Sequence, residues 1–155
     1  MVEVSRLLEY SQEVRNRYFA TLAKLSWNEL IRNREASWYS IRNIFIHTLQ
    51  AIDFWIGFLQ KEQPREDREF DEFETIDDIK SYMEYVDERV QHYLRSLTPA
   101  QLTSEYSLPD DPSFKFTGED ILIHLFEEEL HHRGELIALL WQMNIEPPAM
   151  GWKNL

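Results

Sequence analysis

Apolar residues recur at three- and four-residue steps along four long segments of this 155-residue chain. That spacing is typical of α-helices that bury one face against neighbouring elements. It predicts helices over about residues 2–25, 40–61, 75–97 and 117–144. The chain has only four glycines and shows no strand-like alternation of apolar and polar residues. We therefore expect an all-α fold in which the four apolar stripes bury one another as a four-helix bundle.

The predicted helices begin at residues that can cap them. Ser26, Thr75 and Thr117 stand where an N-cap is expected, since a hydroxyl oxygen there accepts a free backbone N–H of the first turn. Ser26 would start a short helical turn after the first long helix. Residues 98–116 are rich in prolines, serines and aspartates, which predicts a long loop with a helical turn near Pro99. Loops of this length often cover a functional site.

Composition limits the classes of protein that fit. A chain of this length is expected to form one domain over residues 1–155. The formal net charge of −12 disfavours binding to nucleic acid, because an acidic surface repels phosphates. No apolar run approaches the ~18 residues of a membrane span, and the N-terminus lacks the apolar core of a secretion signal. With no cysteine to form a disulfide, we expect a cytoplasmic protein without a membrane partner.

The last predicted helix contains an unusual concentration of ionisable residues, HLFEEELHHRGE, from His124 onward. An α-helix turns about 100° per residue. That angle predicts that His132 lies within the apolar stripe and Glu128 on its edge, whereas His131 and Glu127 point away from it. Burial of a carboxylate and an imidazole without compensation would cost several kcal/mol. They therefore need each other, a polar network or a cation.

A third candidate lies on the second predicted helix, where His47 stands among apolar residues. On its own, His47 is interpreted as a structural histidine. Together with Glu128 and His132, it could complete a three-ligand site with open positions on the metal. Two histidines and a carboxylate suit non-haem Fe(II) and catalytic Zn²⁺, and Ni²⁺ and Mn²⁺ remain open. Spacing alone supports a metal site and a structural cluster equally.

Other readings of the same helix are weaker. The zinc-protease motif HExxH is absent. Glu128 with His131, and Glu129 with His132, match the E-x-x-H step of di-iron bundles, but no second E-x-x-H stands on another helix. A mononuclear site fits better. Arg133 reads as part of a structural ion pair, with an anion clamp at the site as the less favoured alternative. Gly134 is expected to permit close approach of a neighbouring helix.

Two stretches carry a family resemblance. SIRNIFIHTLQAIDFWIGFLQ, followed later by ILIHLFEEELHHRGELIALLWQMNIEPP, resembles the DinB-like superfamily of metal-dependent helical bundles over essentially the whole chain. The resemblance implies an up-down-down-up bundle of the DinB/YfiT-like type and one divalent metal held by three histidines. Carried over, the ligand positions are His47, Glu128 and His132, with glutamate at the middle position in place of histidine. His124, one turn earlier, could support or substitute for Glu128.

The resemblance also implies a type of reaction. Relatives transfer low-molecular-weight thiols of the bacillithiol type, or isomerise or hydrolyse thiol adducts, and they commonly look like homodimers. The implied substrates are therefore a small-molecule thiol and an electrophile. The alternative is a non-catalytic, metal-binding bundle protein with a stress-related role.

Overall fold

The computed structural model describes residues 3–63 and 66–150. Within these residues the chain is mostly helical, with one small antiparallel sheet. The elements, in chain order, are α1 (Val4–Leu22), α2 (Trp27–Ile31), α3 (Ile41–Leu59), a 3₁₀ turn (Phe70–Glu72), α4 (Ile76–Ser96), α5 (Pro99–Thr103), β1 (Glu105–Leu108), β2 (Asp111–Thr117) and α6 (Gly118–Gln142).

The helix starts agree with the predicted caps. The side chain of Ser26 accepts the backbone N–H of Glu29 at the start of α2. Thr75 and Thr117 cap α4 and α6, and each forms a reciprocal capping box with the aspartate three residues later. The short turn near Pro99 is confirmed as α5. The predicted start of the first helix at residue 2 lies outside the described residues.

The hydrophobic core lies between the four long helices. α3 packs against α4 and α6, and α1 packs against the same two helices. Ile44, Leu49 and Ile56 of α3 are completely shielded from solvent. Each such side chain stabilises the fold by roughly 1.5–3 kcal/mol relative to an exposed one. Because α3 is apolar around most of its circumference, it is the most buried helix, as its sequence predicts.

The expectation of a purely helical chain is wrong for the segment between α5 and α6. Residues predicted as a loop form the β1–β2 hairpin, with Tyr106 opposite Phe116 and an irregular register towards the turn. Both aromatic rings pack on Phe58 of α3, with centroids 5.8 and 6.1 Å from it. Aromatic residues favour strands when one sheet face is covered, and α3 covers this hairpin. The cover is a tertiary contact that the local pattern could not reveal.

Gly134 also departs from its predicted role. A Cβ atom built there would meet nothing within 4 Å, and the residue is exposed in the middle of α6. No helix in the described part of the chain approaches this glycine. Across residues 3–63 and 66–150, no helix is long and apolar enough to cross a membrane.

Candidate metal centre

α6 places two of the candidate ligands one helical turn apart on the side that faces α3. His132 is buried at 4% exposure, and the side chain of Glu128 is 27% exposed. The distance from His132 Nε2 to Glu128 Oε2 is 3.4 Å. In contrast, the side chain of His131 is 64% exposed. The inward orientation of His132, the edge position of Glu128 and the outward orientation of His131 are therefore confirmed.

α3 contributes the third candidate, His47, from across the interface. The imidazole rings of His47 and His132 lie 4.8 Å apart and nearly perpendicular, at 85°. One donor atom from each of His47, Glu128 and His132 can be chosen such that all three lie within 4.8 Å of one another. Ligands at about 2.0–2.2 Å from one ion can lie no more than about 4.4 Å apart. A contraction of a few tenths of an ångström would let the three side chains share an ion.

A carboxylate that the sequence analysis missed orients His132. Glu135 Oε2 lies 2.7 Å from His132 Nδ1. Burial acts to raise the pKa of Glu135, but the hydrogen bonds from His132 and Ser37 outweigh it and leave the pKa below its usual value. An ionised carboxylate can only accept, so Nδ1 of His132 donates to Glu135, and Nε2 is the ring nitrogen that faces Glu128. Metal-binding histidines commonly have such a carboxylate partner.

The environment of His47 also suits a ligand. Burial lowers the pKa of His47, and the neighbouring His132 lowers it further. The imidazole is thereby kept neutral, which is the form that can bind a metal. Trp38 stacks on it, with ring centroids 4.0 Å apart and an angle of 28° between the planes. Asn43, one turn earlier, is engaged elsewhere, because its side-chain oxygen accepts from Arg42 at 3.0 Å.

The two remaining histidines of α6 lie at the margin of the candidate centre. His124 Nε2 is 3.9 Å from Glu128 Oε1, and its ring meets the Trp55 ring edge-on at 5.5 Å. It contacts the far oxygen of Glu128, as a supporting residue would. His131, His132 and Glu135 form a second group of donors within 4.8 Å. Both groups use His132, so the described residues offer no independent pair of sites for two ions.

The opposite side of the same stretch of α6 is a structural ion network. Glu129 is buried and pairs with Arg15 of α1, which also pairs with Asp87 of α4. Arg133 is buried too, and its guanidinium contacts Ser11 Oγ at 3.4 Å. This contact places Arg133 against α1 and gives no support to the anion clamp. The predicted ion pair of Arg133 is not found among the described residues, so its structural contact is with the Ser11 hydroxyl.

A cleft of about 800 Å³ opens elsewhere, between α3, α4 and the hairpin. Its walls include Phe54, Tyr82 and Tyr106, and none of the candidate ligands lines it. Size therefore does not identify the functional centre here, and the convergent donor atoms are the stronger signal.

Comparison with known proteins identifies the family of the chain. A family model described as the DinB family matches residues 1–154. The chain is also similar to "Uncharacterized protein YizA" of Bacillus subtilis (strain 168). The two are 24% identical over 144 residues, which cover 92% of this chain and 89% of the relative. The name of that relative states no activity, so the family is the information that the comparisons add.

Proposed function

Because the chain belongs to the DinB family and three potential ligands converge, we propose that it is a metal-dependent enzyme with a single divalent ion at His47, Glu128 and His132. The carrying observation is that their donor atoms lie within 4.8 Å of one another. The proposed activity is that of a thiol S-transferase of the bacillithiol type, or of a hydrolase that acts on thiol adducts. Zn²⁺, Ni²⁺, Fe²⁺ and Mn²⁺ all fit two imidazoles and a carboxylate.

The glutamate at the middle ligand position distinguishes this proposed centre from one made of three imidazoles. Glu128 adds one negative charge, which favours a harder metal. It also lies at the margin of the site, where its side chain is 27% exposed. A substrate would therefore approach from the side of Glu128 and His124, since His132 is closed off from solvent.

Thiol transfer at this centre would need a group that activates the thiol and a group that accepts its proton. A divalent ion held here would bind the thiol sulfur and favour the thiolate at neutral pH. In the transfer, the sulfur of the cosubstrate would form the new S–C bond while the leaving group departed with its electron pair. His124, which is partly exposed and has its Nε2 3.9 Å from Glu128 Oε1, would take the thiol proton. The chain has no cysteine, so the nucleophile must come from a cosubstrate.

One experiment tests the activity directly. The metal-free protein is loaded with each of the four metals and assayed with a small thiol and an electrophilic aryl halide, and separately for hydrolysis of the thiol adduct. Turnover that is lost in Glu128→Gln and retained in Glu127→Gln would support the proposal. Glu127 is the matched control, because it is one residue away and its side chain is 78% exposed.

The alternative is a non-catalytic, metal-binding protein with a stress-related role. The observation that favours it is the cover over the site: His132 is buried, and Trp38 lies over one face of His47. In that case the protein would bind the ion tightly and turn over no thiol–electrophile pair with any of the four metals.

We also propose an up-down-down-up four-helix bundle as one domain, a cytoplasmic location and a homodimer. The packing of α1 and α3 against both α4 and α6 supports the bundle. For the dimer, α6 offers an outward apolar face with Ile123, Leu130 and Trp141 exposed around Gly134. Trp141→Glu should shift the mass measured by light scattering from dimer to monomer, and a wild-type monomer would rule the dimer out.

A further inference from the structure

The loop between α2 and α3 has an unusual backbone. Glu35, Ser37 and Tyr39 all have positive φ angles, of 55°, 47° and 70°. Residues with a Cβ atom rarely adopt this conformation, and it persists where the surrounding structure demands it. Backbone hydrogen bonds close the loop on itself, from Arg34 N to Tyr39 O at 2.7 Å and from Tyr39 N to Ala36 O at 2.8 Å.

One side chain of this loop reaches a histidine of the candidate centre. The indole of Trp38 stacks on His47, with 4.0 Å between the ring centroids. The alternating left-handed residues at positions 35, 37 and 39 direct this indole onto the ligand face of α3. A loop with ordinary backbone angles would follow another path.

We propose that residues 35–39 form a clamp that fixes the orientation of the candidate ligand His47, with Trp38 as the positioning residue. This inference rests on the proposed metal centre and adds a residue that no metal-ligand motif contains.

The need for a clamp is greatest at His47. Among the described residues, no hydrogen bond to either ring nitrogen of His47 is found, whereas His132 is held through Nδ1. A metal ligand must be held to within roughly 10–20° of its productive orientation. Stacking on Trp38 restricts rotation of the His47 ring and leaves its nitrogens free to face Glu128 and His132. The Trp38 ring is itself steadied by an edge contact with Phe70, at 5.9 Å between centroids.

The first test measures metal affinity by competition between the protein and a chromophoric zinc chelator. Trp38→Ala should weaken Zn²⁺ binding by about 10–100-fold, as loss of an outer partner of a ligand does. Trp38→Phe should recover much of that loss, because a phenyl ring can still stack. Phe114→Ala is the control: it removes an exposed aromatic ring of β2, outside the proposed dimer face, and should leave affinity unchanged.

The second test uses no metal. In the NMR spectrum of the metal-free protein, the ring protons of His47 should be shifted upfield by the stacked indole. That shift should be lost in Trp38→Ala, partly kept in Trp38→Phe and unaffected in Phe114→Ala. If the wild-type protein binds no divalent ion, the proposed function fails, and the His47 shift alone still decides on the clamp. Unchanged zinc affinity in Trp38→Ala relative to a metal-binding wild type, or an unchanged His47 shift, would overturn the inference.

Discussion

Within one helical turn, the two sides of α6 differ in whether their ionisable residues are paired with opposite charges. On the α1 side, buried Glu129 pairs with Arg15, which also pairs with Asp87, and Arg133 is buried against Ser11 of α1. On the α3 side, Glu128 and His132 face His47, and the described part of the chain places no lysine or arginine in an ion pair with Glu128. Residues 128 and 129 are neighbours in sequence, so only the partner helix distinguishes them.

The difference shows how a structural cluster can be told from a candidate site. The α1 side buries two acidic and two basic side chains, and Arg15 pairs with both acids, so its charges can cancel within the chain. The α3 side brings together electron-pair donors, and no lysine or arginine of the described residues pairs with Glu128 there. Its negative charge would therefore have to be offset by a bound cation. On this side the outer partner Trp38 lies on a strained loop, whereas Glu135 and the members of the network lie on regular helices. Strained backbone is often found at functional sites.

The largest effect is expected on the network side. Arg15→Met should lower the free energy of unfolding by about 3–5 kcal/mol, because it leaves Asp87 and Glu129 buried without a direct cation. Urea denaturation of the metal-free protein measures this loss. Lys80→Met is the control, since its pair with Glu84 is exposed and should contribute less than about 1 kcal/mol. A loss as small as that of the control would mean that the network does not hold the helices together.

An effect on metal affinity is expected on the other side of α6. Glu135→Gln should weaken binding by about 10–100-fold, because an amide holds His132 Nδ1 less strongly than an ionised carboxylate does. Equilibrium competition with a chelator gives the ratio. Glu127→Gln removes the same charge from an exposed position of α6 and should change affinity little. Equal losses in the two variants would attribute the effect to general charge rather than to orientation.

A smaller effect should reveal the strain in the 35–39 clamp. Glu35→Gly should raise the free energy of unfolding by up to about 1 kcal/mol, because glycine adopts a positive φ without a steric penalty. Glu88→Gly makes the same change within α4 and should lower stability by about 1 kcal/mol. Urea denaturation compares the two variants. If Glu35→Gly is as destabilising as Glu88→Gly, the clamp stores no strain.

The smallest effect expected is a pH dependence from His47. Its pKa in the folded protein lies below the ordinary 6.5, mainly because of burial. Below pH 6.5 the unfolded chain therefore binds a proton that the folded chain excludes, and stability falls as pH drops until the folded pKa is reached. His47→Gln, measured without metal, should show a shallower slope in that window. An unchanged slope would mean that the fold does not disfavour protonation of this imidazole.

Much of the helical framework could be predicted from the sequence because its determinants are local. Caps at Thr75 and Thr117 and the apolar periodicity fix where helices begin and which faces are buried. The same periodicity predicted the inward His132 and the outward His131. The β1–β2 hairpin could not be predicted in this way, since its strands depend on cover from Phe58 of α3.

The residues around the candidate ligands differ in how far their positions could be predicted from the sequence. Glu135 stands three residues after His132, a spacing that places two side chains on one helix face, so its role was open to prediction. Trp38 carries no comparable signal. Its position depends on the left-handed backbone at residues 35, 37 and 39, none of which is glycine. A pattern of residue types does not encode that geometry.

Metal stoichiometry tests the central claim most directly. The purified protein is stripped, reloaded in turn with Zn²⁺, Ni²⁺, Fe²⁺ and Mn²⁺, desalted and analysed for metal per chain, alongside Glu128→Gln, His132→Gln and the control Glu127→Gln. We expect one tightly held ion per chain in the wild type and the control, and its loss in the two ligand variants with helical circular dichroism retained. No bound ion, two ions per chain, or one ion that survives both substitutions would contradict the proposed centre.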